Sequence, residues 1–271
     1  MFTGVHSVVV AHRTPGSLVD LLTGPLCLNA VETADSFFGA GILRFAIGDS
    51  ALEIWRPHSG GRFDQVVETR GDGLFALILR SDATLETGLH LINDEDDADR
   101  DTAPLPLFAE LPGIGETELL DPTDAHGVLL GIISAADEPG PAHPVVASID
   151  HVVIVSNDAA ATAARFSELL GSEIRLRMTR PGAKRHLEFM KIGQVSLEFA
   201  GPAEPADGPF AARLWGLVLT VHDLPSAVEA IRDSGFEITD PTPAVQPGAM
   251  ISTVKDGTCG IALALIQYNA R

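Results

Sequence analysis

One repeat offset, 145 residues, constrains this chain more than any other feature. VHSVVV (Val5 to Val10) near the start is matched by DHVVIV (Asp150 to Val155), which sets His6 against His151. IGDSALEIWRP (Ile47 to Pro57) is matched in the same register by IGQVSLEFAGP (Ile192 to Pro202), which sets Gly48 against Gly193, Leu52 against Leu197 and Glu53 against Glu198. Two separated blocks sharing one offset mark a duplicated unit. The chain is therefore expected to hold two copies of one domain, residues 1–136 and 147–271, joined by a linker at 137–146. The segment AADEPGPAHP (Ala135 to Pro144), with three prolines among small and charged residues, has a linker's composition.

Each copy restarts once inside itself. GLFALIL (Gly73 to Leu79) matches RLWGLVL (Arg213 to Leu219), and each opens a second round of the same rhythm. A β-rich run comes first, then a helix-length segment, then about three short strands. Helices are expected over Thr14 to Thr23 and Ala159 to Leu170, where Phe166, Leu169 and Leu170 fall at helical spacing. A third helix is expected from Asp223 as cap and Pro225 in the first turn, with Leu224, Val228 and Ile231 on one face. Leu85, Leu89 and Ile92 give the same spacing in the first copy, and closing strands are expected at Gly127 to Ile133 and Gly260 to Ile266. The expected fold class is α+β, with four βαβββ modules.

Composition narrows the partners. At 45% hydrophobic residues and a mean hydropathy of +0.20 the chain can bury a large core. A formal charge of -19 argues against a grip on nucleic acid or anionic lipid. Cys27 and Cys259 are too few for a disulfide framework or a zinc cage, which fits a reducing cytoplasmic setting. No basic leader precedes the first apolar stretch, and the uncharged runs are too short to span a bilayer. The acidic run Asp94 to Asp101 and the soft segment Gly201 to Gly208 read as exposed loops.

The βαβββ rhythm, with DHVVIV opening a module and SLEF closing one, resembles the vicinal oxygen chelate superfamily. That superfamily includes glyoxalase I, methylmalonyl-CoA epimerase, bleomycin resistance proteins and extradiol dioxygenases, and the resemblance covers nearly the whole chain. It implies that modules pair so that their sheets curl into cups, each holding a divalent metal (Zn, Ni, Mn, Mg or Fe) with ligands from first and last strands. Carried over residue by residue, His6 and Glu53 match in the first domain, and His151 and Glu198 in the second. The remaining positions fall at Ala76 and Gly216, and at Gly131 and Ala264, where no ligand stands.

Three arrangements of those four residues are open. Each His and Glu pair can be completed by water, substrate or another histidine, with His126 and His90 candidates in the first domain and His222 in the second. Alternatively, modules one and three face each other and all four residues form one centre. The third arrangement has no metal, and His and Glu serve as acid/base groups. Read singly, a histidine near a strand start is more commonly packed than ligating, and only the paired occurrence lifts these four above that background.

The function implied is an enzyme acting on a small organic molecule by metal-assisted lyase or isomerase chemistry, with Glu53 and Glu198 as catalytic carboxylates. Alternatives are a non-catalytic binding or resistance protein, supported by the missing ligands, and a ring-cleaving dioxygenase. Arg175 and Arg177, in a basic cluster with Arg180, Lys184 and Arg185, are expected with His126 to bind substrate. No nucleotide cofactor is expected. The partners expected are a small-molecule substrate and, at most, a second copy of the chain.

Overall fold

The computed structural model describes residues 2–33, 39–82, 109–111, 115–120, 122–134, 140, 142–180, 182, 184–207 and 211–269. Side chains are described for these except at Thr33, Arg62 and residues 109–111 and 115–119. The expected helical face of Leu85, Leu89 and Ile92, the acidic run and His90 lie outside the described residues.

The first half contains β1 (Phe2–Ala11), α1 (Gly16–Thr23), β2 (Ala30–Thr33), β3 (Ala40–Ile47), β4 (Ser50–Pro57), α2 (Arg62–Arg70) and β5 (Gly73–Ser81). It continues with β6 (Ala109–Leu111), β7 (Gly115–Leu119), a 3-10 turn (Pro122–Ala125) and β8 (Leu129–Ile133). The second half contains β9 (Val146–Ser156), α3 (Ala159–Leu170), β10 (Ile174–Arg180), β11 (Arg185–Ile192) and β12 (Val195–Pro202). It ends with β13 (Ala212–Val221), α4 (Leu224–Asp233), β14 (Thr242–Pro243), β15 (Ala249–Thr253) and β16 (Ala262–Tyr268). The fold is α+β, with each half a curled mixed sheet of eight strands. The orders β2-β3-β4-β1-β5-β8-β7-β6 and β10-β11-β12-β9-β13-β16-β15-β14 are one topology used twice. Modules one and two share one sheet and modules three and four the other, so the arrangement in which modules one and three face each other across one centre is not adopted.

Local chemistry sets the helix ends. Asp158 caps α3 by accepting from the Ala161 amide, and Gly171 ends it in the left-handed region. Asp223 caps α4 through the Ser226 amide, with Pro225 in its first turn. Pro15 disfavours helical geometry at Thr14, so α1 starts at Gly16, two residues later than expected. Helices α1, α3 and α4 cover one face of their sheets, and these faces merge into one core. Val8, Leu22, Val152, Phe166 and Phe199 all belong to it.

Gly48 and Gly193 hold the two domains together at symmetric points. Each sits at positive φ (58° and 59°) in the turn joining the third and fourth strands of its sheet. A Cβ on Gly48 would meet the Ala147 carbonyl oxygen at 3.0 Å, and one on Gly193 would meet the Thr3 carbonyl oxygen at 2.4 Å. Each turn thus presses its bare backbone against the other domain's first strand, which gives both copies a physical need for glycine. Gly193→Ala is expected to cost about 2 kcal/mol or more, from strain plus the clash. Gly171→Ala, at φ 61° with nothing within 4 Å, is expected to cost only about 1 kcal/mol. Thermal unfolding of both variants beside wild type tests this, and equal shifts would contradict it.

Candidate functional site

Each sheet has a second face, turned away from the merged core, and the two domains treat it differently. In the first, the hollow is filled. Val9, Ala11, Ile42, Trp55, Phe75, Ala76 and Ile78 pack there against Phe63 and Val67 of α2. Phe63 meets Phe75 edge-on at a centroid distance of 5.4 Å and Trp55 at 5.9 Å. Arg13, just beyond β1, donates through Nε to Asp64 at 2.9 Å and so ties α2 down at its outer side. The sequence reading missed this helix, although Phe63, Val66 and Val67 carry its spacing.

Polar groups in the filled hollow form a network around two arginines. Glu53, 1% exposed, takes Arg44 on one oxygen and the Trp55 indole N–H on the other at 2.9 Å. Arg80 donates through Nε to His6 Nδ1 at 3.3 Å and also binds the Asp49 carbonyl. A neutral imidazole accepts at one nitrogen only, so His6 Nε2 carries its hydrogen 3.2 Å from Arg44 Nη2 and makes no hydrogen bond there. Burial, with the Arg44 and Arg80 charges added, drives the His6 pKa down to about 3. His6 and Glu53 do not pair. Arg44 stands between them.

In the second domain, residues 203–211 join β12 to β13 where residues 58–72 join β4 to β5, and no helix occurs among those described. Trp215 is 36% exposed, whereas Phe75 at the corresponding bulge is 6% exposed. On this open face lies a chain of charged groups. His151 gives Nδ1 to Asp150 at 2.6 Å and Nε2 to Glu198 at 3.2 Å. Asp150 Oδ1 also accepts from the Tyr268 hydroxyl at 2.9 Å and from Thr220 at 3.4 Å. Burial alone would lower the His151 pKa, but the hydrogen bonds and charges of the two carboxylates outweigh it and push it up to about 9. Burial would raise Asp150, yet the donors around it hold it below the ordinary carboxylate range. Burial and the Asp150 charge raise Tyr268. At neutral pH the site is an imidazolium between two carboxylates.

The family model described as Glyoxalase/Bleomycin resistance protein/Dioxygenase superfamily matches residues 150–252. A mutant 4-hydroxymandelate synthase from Streptomyces coelicolor aligns over 100% of this chain and 94% of its own, at TM-score 0.69 and 12% identity. The chain therefore has the fold of that synthase over its whole length, and the family model matches within the second domain. Methylmalonyl-CoA epimerase from Mycobacterium tuberculosis aligns over 48% of this chain and 94% of its own (14% identity, TM-score 0.41). A Streptomyces coelicolor epimerase covers 46% and 96% (18% identity, TM-score 0.40). A search of curated proteins finds no match.

Set on the glyoxalase-like fold, the repeat is offset by one residue at its histidines. Val9 pairs with both Glu53 and Ala76, and Val153 pairs with both Glu198 and Gly216. The ladders therefore equate Ser7 with His151. His6 falls in a bulge between Val5 and Ser7, as Asp150 does between Ile149 and His151. One extra residue between β9 and β12 hides this shift in the sequence. Ser7 keeps the trace of it, as a buried hydroxyl with no hydrogen-bond partner.

The superfamily's divalent metal does not fit this donor set. Among the described residues no three His, Cys, Asp or Glu side chains converge. Both His151 nitrogens face carboxylates at opposite ends of the ring, so Asp150, His151 and Glu198 cannot meet on one ion. A Cβ on Gly216 would lie 3.1 Å from the Ala262 carbonyl and 3.3 Å from Val153, which leaves no room for a larger side chain without a shift. The expected set of His6, Glu53, His151 and Glu198 is divided between a filled cup and an open one.

The other expected residues lie elsewhere. Arg177 pairs with Glu188 at 3.2 Å on the face opposite Glu198, and Arg175 stands at the adjacent irregularity of β10. His126 lies at the domain boundary, its carbonyl accepting from Ala212, with its pKa lowered by burial and by Arg165. His222 binds the His143 carbonyl. Asp150 and Tyr268 were missed, though Asp150 adjoins the matched histidine and Tyr268 is the chain's only tyrosine.

Three outcomes follow from this geometry. The His151 pairings stabilise the fold fully below its ordinary pKa of 6.5, and that contribution, on the order of 3 kcal/mol, is lost as pH rises through about 9. Denaturant midpoints measured from pH 6 to 10 should fall on the alkaline side, and Asp150→Asn should flatten that fall. Phe63→Ala should cost about 3 to 5 kcal/mol in urea unfolding. Protein purified without chelator should hold no stoichiometric metal, and metal lost on His151→Ala would contradict the fit.

Proposed function

We propose that this protein is an enzyme that moves a proton on a small organic substrate in the open cup of the second domain, while the first cup is structural. The observation that carries this reading is the Asp150, His151 and Glu198 chain on a sheet face that no described helix covers. Glu198 meets only His151 among the described residues, which leaves its other oxygen for substrate. A substrate carbonyl oxygen would share the His151 Nε2–H with Glu198 Oε2, and the other Glu198 oxygen would take the proton from the adjacent carbon. The electron pair then moves onto that oxygen, beside a charge already fixed in place. Return of the proton after the enolate turns its other face to Glu198 gives an epimerase outcome. In an α-hydroxy ketone its delivery to the former carbonyl carbon, with the hydroxyl proton passing to the enolate oxygen, gives an isomerase outcome. Asp150 holds the ring in line and keeps it charged.

A second reading is binding without turnover, favoured by the missing donors at Gly216 and Ala264. Exchange of carbon-bound hydrogen with D2O, followed by NMR over small 2-oxo acids and hydroxy ketones, separates the two. Wild type should accelerate exchange for some member of the panel. Glu198→Gln should lower that rate at least about 100-fold, and Ser7→Ala in the filled cup should leave it unchanged. Retained exchange in Glu198→Gln would overturn the catalytic reading.

A further inference from the structure

The open cup has a basic end. Along β10 and β11, Met178 pairs with Leu187 and Arg180 with Arg185. Leu187 pairs with Ala200, Ala200 with Val155, and Val155 with Arg213. Leu187 and Ala200 pack with Val153 on the Glu198 face, and Met178 and Val155 pack against them. Side chains two apart on a strand share a face, so Arg180, Arg185 and Arg213 rise from that face as well. All three are exposed, and none has a side-chain hydrogen bond or ion pair among the described residues.

This placement opposes the usual economy of charge. Arg180 and Arg185 stand directly opposite on antiparallel strands, where like charges repel. They do so unpaired in a chain of net charge -19. The exposed Glu204 and Asp207 in the segment after β12 pair with neither. Met178, Leu187, Ala200 and Val155, of which Leu187 and Ala200 are buried, form an apolar lane that separates Arg180 and Arg185 from the acid/base groups, with Arg213 at its end. Arg213 lies level with Val155, two residues from the Glu198 row, about 7 Å along the strand, and Arg185 four residues from it, about 13 Å.

From these positions we infer that the open cup takes an amphipathic organic anion. Its carboxylate or phosphate is held by Arg180, Arg185 and Arg213, its apolar body lies on the lane, and its reacting end reaches Glu198 and His151. The inference rests on the reading of this cup as the site and names the class of substrate it takes. Guanidinium groups suit both anions, since their fork matches carboxylate and phosphate oxygens.

Trp215, exposed on the same face, reports binding, and Trp55→Phe leaves it as the only tryptophan. Fluorescence titrations of Trp55→Phe protein would use hexyl phosphate, hexanoate and hexan-1-ol. The two anions should bind at least tenfold tighter than the alcohol, with affinity falling as salt rises. Adding Arg185→Glu and Arg213→Glu should remove that preference. Lys255→Glu, an equal charge change outside the cup, should not. Equal affinity for the alcohol and the anions, or a preference that survives the arginine reversals, would overturn the inference. Glu198→Gln should keep hexyl phosphate binding, so loss of exchange with binding intact tests the chemistry apart from the substrate class.

Discussion

A curled sheet with helices on one side leaves its other side to be filled or left to water, and most of this molecule follows from making that choice differently twice. Both helix-covered faces merge into one core, so neither cup can be closed by packing one domain against the other there. In the first domain α2 enters the hollow and places Phe63 and Val67 among Trp55, Phe75 and Ile78. Burying such side chains stabilises the domain by about 1.5 to 3 kcal/mol apiece, and it fills the space a ligand would need. The shorter connection after β12 places no described helix on the second hollow.

The same contrast governs the charges. His6 lies between two guanidinium groups and stays neutral at ordinary pH, while Glu53 is satisfied by Arg44 and Trp55. His151 lies between two carboxylates and stays charged. The two copies share a glutamate at one position and carry their histidines one residue apart, and the neighbours turned one set into a buried network and the other into an acid/base chain. The second set keeps a Glu198 oxygen for substrate. One fold is thus present in both halves, whereas a metal centre does not follow from it.

Much of the architecture was legible in the chain because its determinants are local. Helix α3 and the start of α4 sit where Asp158, Asp223 and Pro225 put them, since caps act on the nearest amides. The duplicated glycines showed in the sequence, but their reason did not, because it is a contact with the other domain. Helix α2 was missed, being short and polar on most of its surface.

Sequence alone determined the duplication, the four-module order and the recurrence of a carboxylate at Glu53 and Glu198, because strand content and repeat register are carried by side chains close together in the chain. Only the tertiary structure decided which residues face each hollow. A bulge shifts every later side chain to the other face of its sheet, and its place is set by pairing with distant strands. Pairing with distant strands sets His6 level with Asp150 and turns Arg177 away from Glu198 and Arg185 toward it, and the connection that carries α2 fills the first cup.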